Sequence, residues 1–228
     1  MISSLFNDIL DFIFPPHCPA CDAYVEKSGE WCEECLSKTL RPHRLSLDDE
    51  ARRVIDRAFA LGYYHGTALR ALIIDLKYRG RLDRMRYIEN FLSSSKEMLL
   101  DERSQINALV KMEAAVPVPL HEEKEKARGF NQAELIFKNW FIALGMEWER
   151  ALVRRQATVP QHGLTAKERR DNMAGAFEAA AGNTVNGKNI ILVDDIFTTG
   201  ATCTACAKEL RKMGAKSVSV LVLASDHG

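Results

Sequence analysis

The chain of 228 residues carries 31 lysine and arginine residues against 31 aspartate and glutamate residues, so its formal charge at pH 7 is zero. This balance argues against a wholly basic nucleic-acid-binding protein, and the length suits one domain with a small accessory module. No apolar run approaches the roughly 20 residues of a membrane span, and the first residues lack the basic segment of a secretion signal. We therefore expect a cytoplasmic protein.

The chain begins with an amphipathic pattern over residues 2–14, which predicts a short helix that ends at the Pro-Pro pair that follows. A polar segment over residues 41–50 contains a proline and predicts a linker. We therefore expect an N-terminal module over residues 1–45 and a second domain over residues 46–228.

Four cysteines are concentrated in the N-terminal module, in two Cys-x2-Cys pairs separated by ten residues: Cys18, Cys21, Cys32 and Cys35. Two such pairs can place four thiolates around one Zn²⁺, and Gly29 permits the turn that brings them together. Two disulfides are the alternative, which a cytoplasmic location disfavours. Four thiolates leave no open position for water, so the spacing predicts a structural rather than a catalytic zinc site.

Strand and helix patterns alternate in the second domain. Strand patterns cover residues 57–66, 114–120, 189–195 and 217–225, and helix patterns cover residues 67–80, 84–100, 129–145 and 202–214. This alternation predicts an α/β domain with a mostly parallel sheet and helices on both faces. In the last of these helices we interpret two cysteines, three residues apart, as packing residues on one helix face.

A phosphate-binding loop is predicted where the apolar strand at residues 189–193 runs into two acids, a turn and a helix. The hydroxyl groups, the small residues and the free N–H groups at the helix start suit a phosphate. The residues of this loop are Thr198, Thr199, Gly200, Ala201 and Thr202. The preceding acids, Asp194 and Asp195, suit the vicinal hydroxyls of a ribose or a Mg²⁺ that bridges to it.

The segment ILVDDIFTTGAT resembles the phosphoribosyl-pyrophosphate motif of type I phosphoribosyltransferases. This resemblance implies that Asp194 and Asp195 are the catalytic pair that addresses the ribose hydroxyls. It also implies that residues 198–202 hold the 5-phosphate. The alternative is a strand, a tight turn and a helix with no ligand.

Further segments are similar to the bacterial competence protein F family. They are LKYRGR at residues 76–81, VPVPLH at residues 116–121, RGFNQAEL at residues 128–135 and a spaced set of residues from Arg155 to Phe177. The resemblance implies a zinc module joined to a phosphoribosyltransferase-like domain. It also implies a role in natural transformation, in which incoming single-stranded DNA is handled with helicase or recombination partners.

Basic residues are concentrated in the segments that carry this resemblance. Residues 77–86 hold five bases against one acid, and residues 150–170 hold six bases against one acid. The candidates for a pyrophosphate contact or a mobile flap are Lys77, Arg79, His121, Arg128, Arg155 and Arg169, with Gly163 in the flap itself. Solvated helix faces are the alternative. Residues 122–128 balance three acids with three bases, which argues against strong DNA contact there.

These observations predict a Mg²⁺-dependent protein that binds phosphoribosyl pyrophosphate, whose chemistry would be displacement of pyrophosphate at ribose C1. The sequence identifies no acceptor and leaves open whether the protein is an enzyme. A non-catalytic module that binds single-stranded DNA is the second hypothesis. An assembly protein, with the zinc module as its docking face, is the third.

Overall fold

The computed structural model describes residues 15–101, 104–155, 175–182 and 185–226. Three predicted features lie outside the described residues: the helix over residues 2–14, the flap around Gly163, and Arg169. Within the described part of the chain, no helix is both long enough and apolar enough to cross a bilayer.

A six-stranded sheet forms the centre of the structure. Its strands, in chain order, are β1 (His43–Arg44), β2 (Arg57–Tyr63), β3 (Ala114–Pro117), β4 (Glu147–Trp148), β7 (Asn189–Phe197) and β8 (Ser217–Ser225). Their order in the sheet is β1-β2-β8-β7-β3-β4, and every neighbouring pair is parallel except β1 and β2. The short strands β5 (Leu152–Arg154) and β6 (Phe177–Ala179) form a separate antiparallel pair.

Helices cover both faces of the sheet, as the sequence predicts. The α-helices are α1 (Glu33–Thr39), α2 (Ala68–Arg79), α3 (Met85–Leu100), α4 (Glu122–Arg128), α5 (Gln132–Ala143) and α6 (Ala201–Lys212). Three 3₁₀ turns cover Ala51–Arg53, Leu82–Arg84 and Gln105–Lys111. One face of the sheet packs against α2, α3 and α5, and the other packs against α6 and the β5–β6 pair.

The strand β7 shows how the sequence produces this layered core. Its run of β-branched and aliphatic residues suits a strand that is buried on both faces. Side chains alternate between the two faces, so Ile191 and Val193 join the α2–α3–α5 core while Ile190 and Leu192 join the α6 core. All four side chains are fully buried.

Two segments with few apolar residues differ from the sequence-based expectations. The predicted linker contains β1, which pairs with the edge of β2. The helix predicted over residues 129–145 is present but begins at Gln132, because Arg128 ends α4, a helix that the sequence did not predict, and Gly129 caps α4 in the left-handed region. The next helix starts at Gln132, with the Asn131 side chain as its N-cap. Helix α4 has no apolar stripe, but its acidic first turn and basic last turn complement the helix dipole.

Candidate functional site

The strand β7 carries the acidic pair within the sheet rather than in the loop that follows it. The strand continues past Asp194 and Asp195 to Phe197, which pairs with the end of β8. The side chains of Asp194 and Asp195 lie within hydrogen-bonding contact of each other.

Asp195 forms a buried ion pair with Lys77, which lies near the end of α2. The Lys77 Nζ is 2.6 Å from the Asp195 Oδ2, and the two side chains are 17% and 3% exposed. Burial disfavours the ammonium charge, but attraction by Asp195 and Asp194 outweighs it and raises the pKa of Lys77. Lys77 therefore keeps its positive charge at neutral pH.

Asp194 lies on the α6 face in surroundings that disfavour its charge. Its Oδ1 accepts a hydrogen bond of 2.9 Å from the backbone N–H of Asp195. Burial, followed by the charge of Asp195, raises the pKa of Asp194 to about 8. Burial also raises the pKa of the nearby Cys203 and Cys206 thiols, so both stay neutral and pack as small apolar groups, as the sequence predicts.

This arrangement does not fit the expectation that the acidic pair shares a Mg²⁺. The ion takes near-octahedral oxygen ligands at about 2.0–2.1 Å. The Lys77 ammonium already lies 2.6 Å from the Asp195 Oδ2. In this conformation the place of a shared divalent ion beside Asp195 is therefore taken by Lys77.

The loop over residues 198–202 leads from β7 into α6. Gly200 is the N-cap of the helix, with a φ of 74°. A Cβ at this position would lie 2.5 Å from the Phe197 ring, so both the backbone and the space require glycine. Gly200 supplies no side-chain cap to α6, and a helix N-terminus favours an anion.

A group of cations lies on the same side of the sheet. Lys124 and Arg128 are four residues apart and share one face of α4. Burial, followed by the charges of Arg154 and Arg128, lowers the pKa of Lys124, so the three cations are close to one another. Burial also lowers the pKa of Arg154, against the attraction of Asp194. The Arg154 guanidinium therefore connects the acidic pair with the α4 cations.

Sequence reasoning missed two members of this group. It counted residues 122–128 as balanced in charge and so named only Arg128. The spacing of Lys124 and Arg128 was the available signal, because residues four apart share one face of a helix. Lys126 lies on another face and pairs with Glu122 at 2.5 Å. Arg154 comes close only through the pairing of β5 with β6, which no local pattern predicted.

Other predicted cations are bound to acids. Arg79 lies 2.8 Å from the carboxylate of Asp75, which also lies 3.4 Å from Arg84. Arg155 lies 3.2 Å from Glu178. The connection between α2 and α3 is therefore much closer to neutral than its basic sequence indicates.

His121 occupies the N-cap of α4, next to the predicted pyrophosphate loop. Its side chain is 16% exposed, and its Nδ1 lies 3.8 Å from the Glu123 carboxylate. It lines a cavity of about 360 Å³ together with Asn131 and Arg154. Among the predicted site residues, the structure therefore brings together the acidic pair, Lys77 and the loop that follows β7, with His121 and Arg128 on α4 nearby.

The four cysteines form a structural Zn²⁺ site. Their sulfur atoms all lie within 4.8 Å of one another, and those of Cys21 and Cys32 are 3.7 Å apart. Thiolates at about 2.3 Å from one tetrahedral ion would be about 3.8 Å apart, whereas a disulfide requires about 2.05 Å. Burial opposes the Cys18 thiolate, but backbone hydrogen bonds, including that of Ala20, lower its pKa to about 7. The turn expected at Gly29 has a φ of 98°.

The zinc module is fixed to α3 by specific contacts. The Trp31 indole N–H donates a 2.9 Å hydrogen bond to the Tyr87 carbonyl, and its ring centroid lies 5.8 Å from that of Phe91. The Arg86 guanidinium donates to the Ser28 hydroxyl. The module therefore packs on the core of the α/β domain rather than being attached only through the chain.

Comparisons with known proteins agree with this two-part structure. Residues 9–45 match the double zinc ribbon domain, and residues 145–228 match the phosphoribosyl transferase domain. With the parallel sheet and the four-cysteine site, these matches define a protein that joins a zinc ribbon to an α/β domain of the phosphoribosyltransferase type.

Relatives are similar over nearly the whole chain. Competence protein F of Haemophilus influenzae is 28% identical over 211 residues, which cover 92% of this chain and 84% of the relative. The DNA utilization protein YhgH of Escherichia coli K12 is 30% identical over 207 residues, which cover 90% of this chain and 82% of the relative. The chain belongs to the competence protein F family, which confirms the resemblance seen in its motifs. A solved glutamine phosphoribosylpyrophosphate amidotransferase from B. subtilis is 21% identical, with a TM-score of 0.39, over 65% of this chain and 30% of its own.

Proposed function

We propose that this protein binds phosphoribosyl pyrophosphate, or a related ribose phosphate, and serves the uptake or use of DNA. The observation that carries the proposal is the start of α6, where Gly200 turns the chain from β7 into the helix at the carboxyl edge of the parallel sheet. The names of the relatives, competence protein F and DNA utilization protein, support the connection with DNA.

The neighbouring groups provide for the rest of such a ligand. The 5-phosphate would lie at residues 198–202, and the ribose would lie towards Asp194, which is partly exposed. Lys124, Arg128 and Arg154 would lie on the side of the pyrophosphate. Cations that already repel one another gain stability when a polyanion lies between them, which favours this placement.

A transfer reaction at this site would need little covalent chemistry from the protein. The bond between ribose C1 and the pyrophosphate oxygen breaks, the pyrophosphate leaves with the electron pair, and an acceptor forms the new bond to C1. The cations would stabilise the charge on the leaving group, and the loop would hold the sugar in position. Pyrophosphate release that depends on an added base, measured across a panel of acceptors, tests whether binding leads to transfer.

Thermal unfolding of the zinc-loaded protein tests the binding. Phosphoribosyl pyrophosphate at 100 times its dissociation constant would stabilise the protein by about 2.7 kcal/mol, or roughly 5–10 °C. Lys124→Met should reduce this shift, whereas Lys126→Met, on another face of the same helix, should retain it. No shift in the folded wild-type protein, with and without Mg²⁺, would refute the proposal.

A second candidate function, binding of single-stranded nucleic acid, is favoured by two tyrosines. Tyr78 is 73% exposed, and Tyr63, at the carboxyl end of β2, is 39% exposed and stacked on His43. Exposed aromatic rings beside cations provide stacking surfaces for bases. Binding of an oligonucleotide that weakens steeply with salt, and weakens further on Tyr78→Ala, would support this function. Absence of binding at low salt would eliminate it.

A further inference from the structure

We propose that Lys77, held by the buried carboxylate of Asp195, is the resident cation of the ribose-phosphate site, in the place of a divalent ion held between Asp194 and Asp195. Asp195 is then a positioning residue that acts through Lys77. The identity of the ligand rests on the proposed function, but the assignment of Lys77 as the cation does not depend on it.

The first support is the geometry of the ion pair. The Lys77 Nζ lies 2.6 Å from the Asp195 Oδ2, within the space that a bound metal ion and its ligand shell would need. Two cations cannot share that space without strong repulsion. Displacing the ammonium would also leave a lysine that is buried over most of its surface without its counter-ion, which costs several kcal/mol.

The second support is the difference in exposure between the two partners. Asp195 is 3% exposed, so a ligand in solution does not reach its carboxylate in this conformation. Lys77 is 17% exposed, and its ammonium carries three N–H donors beside that carboxylate. The group that this pair presents to a ligand is therefore the ammonium.

The third support is the charge balance of the acidic pair. Lys77 and Asp195 cancel, and burial raises the pKa of Asp194 to about 8, so that carboxyl is largely neutral at pH 7. A site without net negative charge suits sugar hydroxyls and phosphate better than it suits a free divalent cation.

Metal alone provides a test that does not depend on the ligand. Mn²⁺ is titrated into the zinc-loaded wild-type protein and into Asp194→Asn, and the free ion is followed by its electron paramagnetic resonance signal. We expect the wild-type protein to have no stoichiometric Mn²⁺ site that depends on Asp194, so the two titrations should agree. A wild-type site that is lost in both Asp194→Asn and Asp195→Asn would overturn the proposal.

Ribose 5-phosphate provides the second test, because it lacks the pyrophosphate that would itself recruit Mg²⁺. Its dissociation constant should agree within twofold with and without added Mg²⁺, in buffer free of chelators that would remove the zinc. Lys77→Met should weaken binding at least tenfold, and Lys77→Arg should retain most of it. Lys126→Met is the control. A requirement for Mg²⁺ in this assay would overturn the proposal, whereas absence of any binding would contradict the proposed function and leave the Mn²⁺ result to decide.

A double-mutant cycle separates positioning from direct contact. If Asp195 acts only through Lys77, Asp195→Asn should have little further effect on ribose 5-phosphate binding in the Lys77→Met background. Two independent losses that add would show that Asp195 contacts the ligand itself, and would refute its assignment as a positioning residue. Far-ultraviolet circular dichroism checks the fold of each variant, and the Lys77→Arg and Mn²⁺ experiments decide the matter where the double variant does not fold.

Discussion

The ion pair between Lys77 and Asp195 permits a stability prediction with a matched control in the same chain. Lys77 lies 2.6 Å from a carboxylate that is 3% exposed. Lys126 lies 2.5 Å from Glu122, and both of those side chains are about three-quarters exposed. The two contacts have nearly the same length and differ in burial. Lys77→Met should therefore cost about 3–5 kcal/mol of unfolding free energy, whereas Lys126→Met should leave it almost unchanged.

Urea unfolding of the zinc-loaded protein at pH 7 measures both losses. The cost of Lys77→Met arises from leaving the Asp195 carboxylate buried and unpaired. Adding Asp195→Asn to Lys77→Met should restore most of the stability, because the lone buried charge is then gone. Losses of less than 1 kcal/mol for both single variants would refute the argument from burial.

Three further predictions concern other described parts of the structure. The pKa of Asp194 is raised to about 8, so its carboxyl favours the folded state at low pH and disfavours it as the pH rises. Asp194→Asn should therefore gain stability relative to wild type between pH 5 and pH 8, by up to about 1.4 kcal/mol per pH unit. Urea unfolding measures this difference. Gly200→Ala should lose at least about 1 kcal/mol more folding stability than Gly145→Ala. Both glycines have a positive φ, but only a Cβ at position 200 would meet an aromatic ring, at 2.5 Å. Equal midpoints of thermal unfolding would contradict this prediction. Removal of zinc should expose Trp31 and shift tryptophan emission to the red, and Trp31→Phe should abolish most of that shift. An unchanged emission spectrum of the wild-type protein would show that the module stays folded without the metal.

Local patterns predicted the elements whose stability is mainly local. The apolar run in β7 and the left-handed glycines that follow α2 and α5, Gly80 and Gly145, marked strand and helix ends correctly. The four cysteines identified the zinc site through their spacing alone. These signals lie within about twenty consecutive residues and depend little on what packs against them.

The arrangement of the site depended on contacts between distant segments. Two adjacent acids suggested a shared divalent ion, but Lys77, from a helix distant in the sequence, takes the position beside Asp195. The basic sequence near Arg79 suggested a phosphate contact, but Asp75, one helical turn earlier, binds that arginine. Because counter-ions are determined by the tertiary fold, counting charges along the sequence could not assign them.

The packing of the zinc module on α3 has a consequence for dividing the chain. The strand β1 covers the outer edge of β2, and Trp31 covers the fully buried ring of Phe91. A fragment that starts after residue 45 would lose both, and would present an open strand edge beside an uncovered aromatic surface. Such a fragment should aggregate through that edge, so the N-terminal segment protects the rest of the protein from self-association.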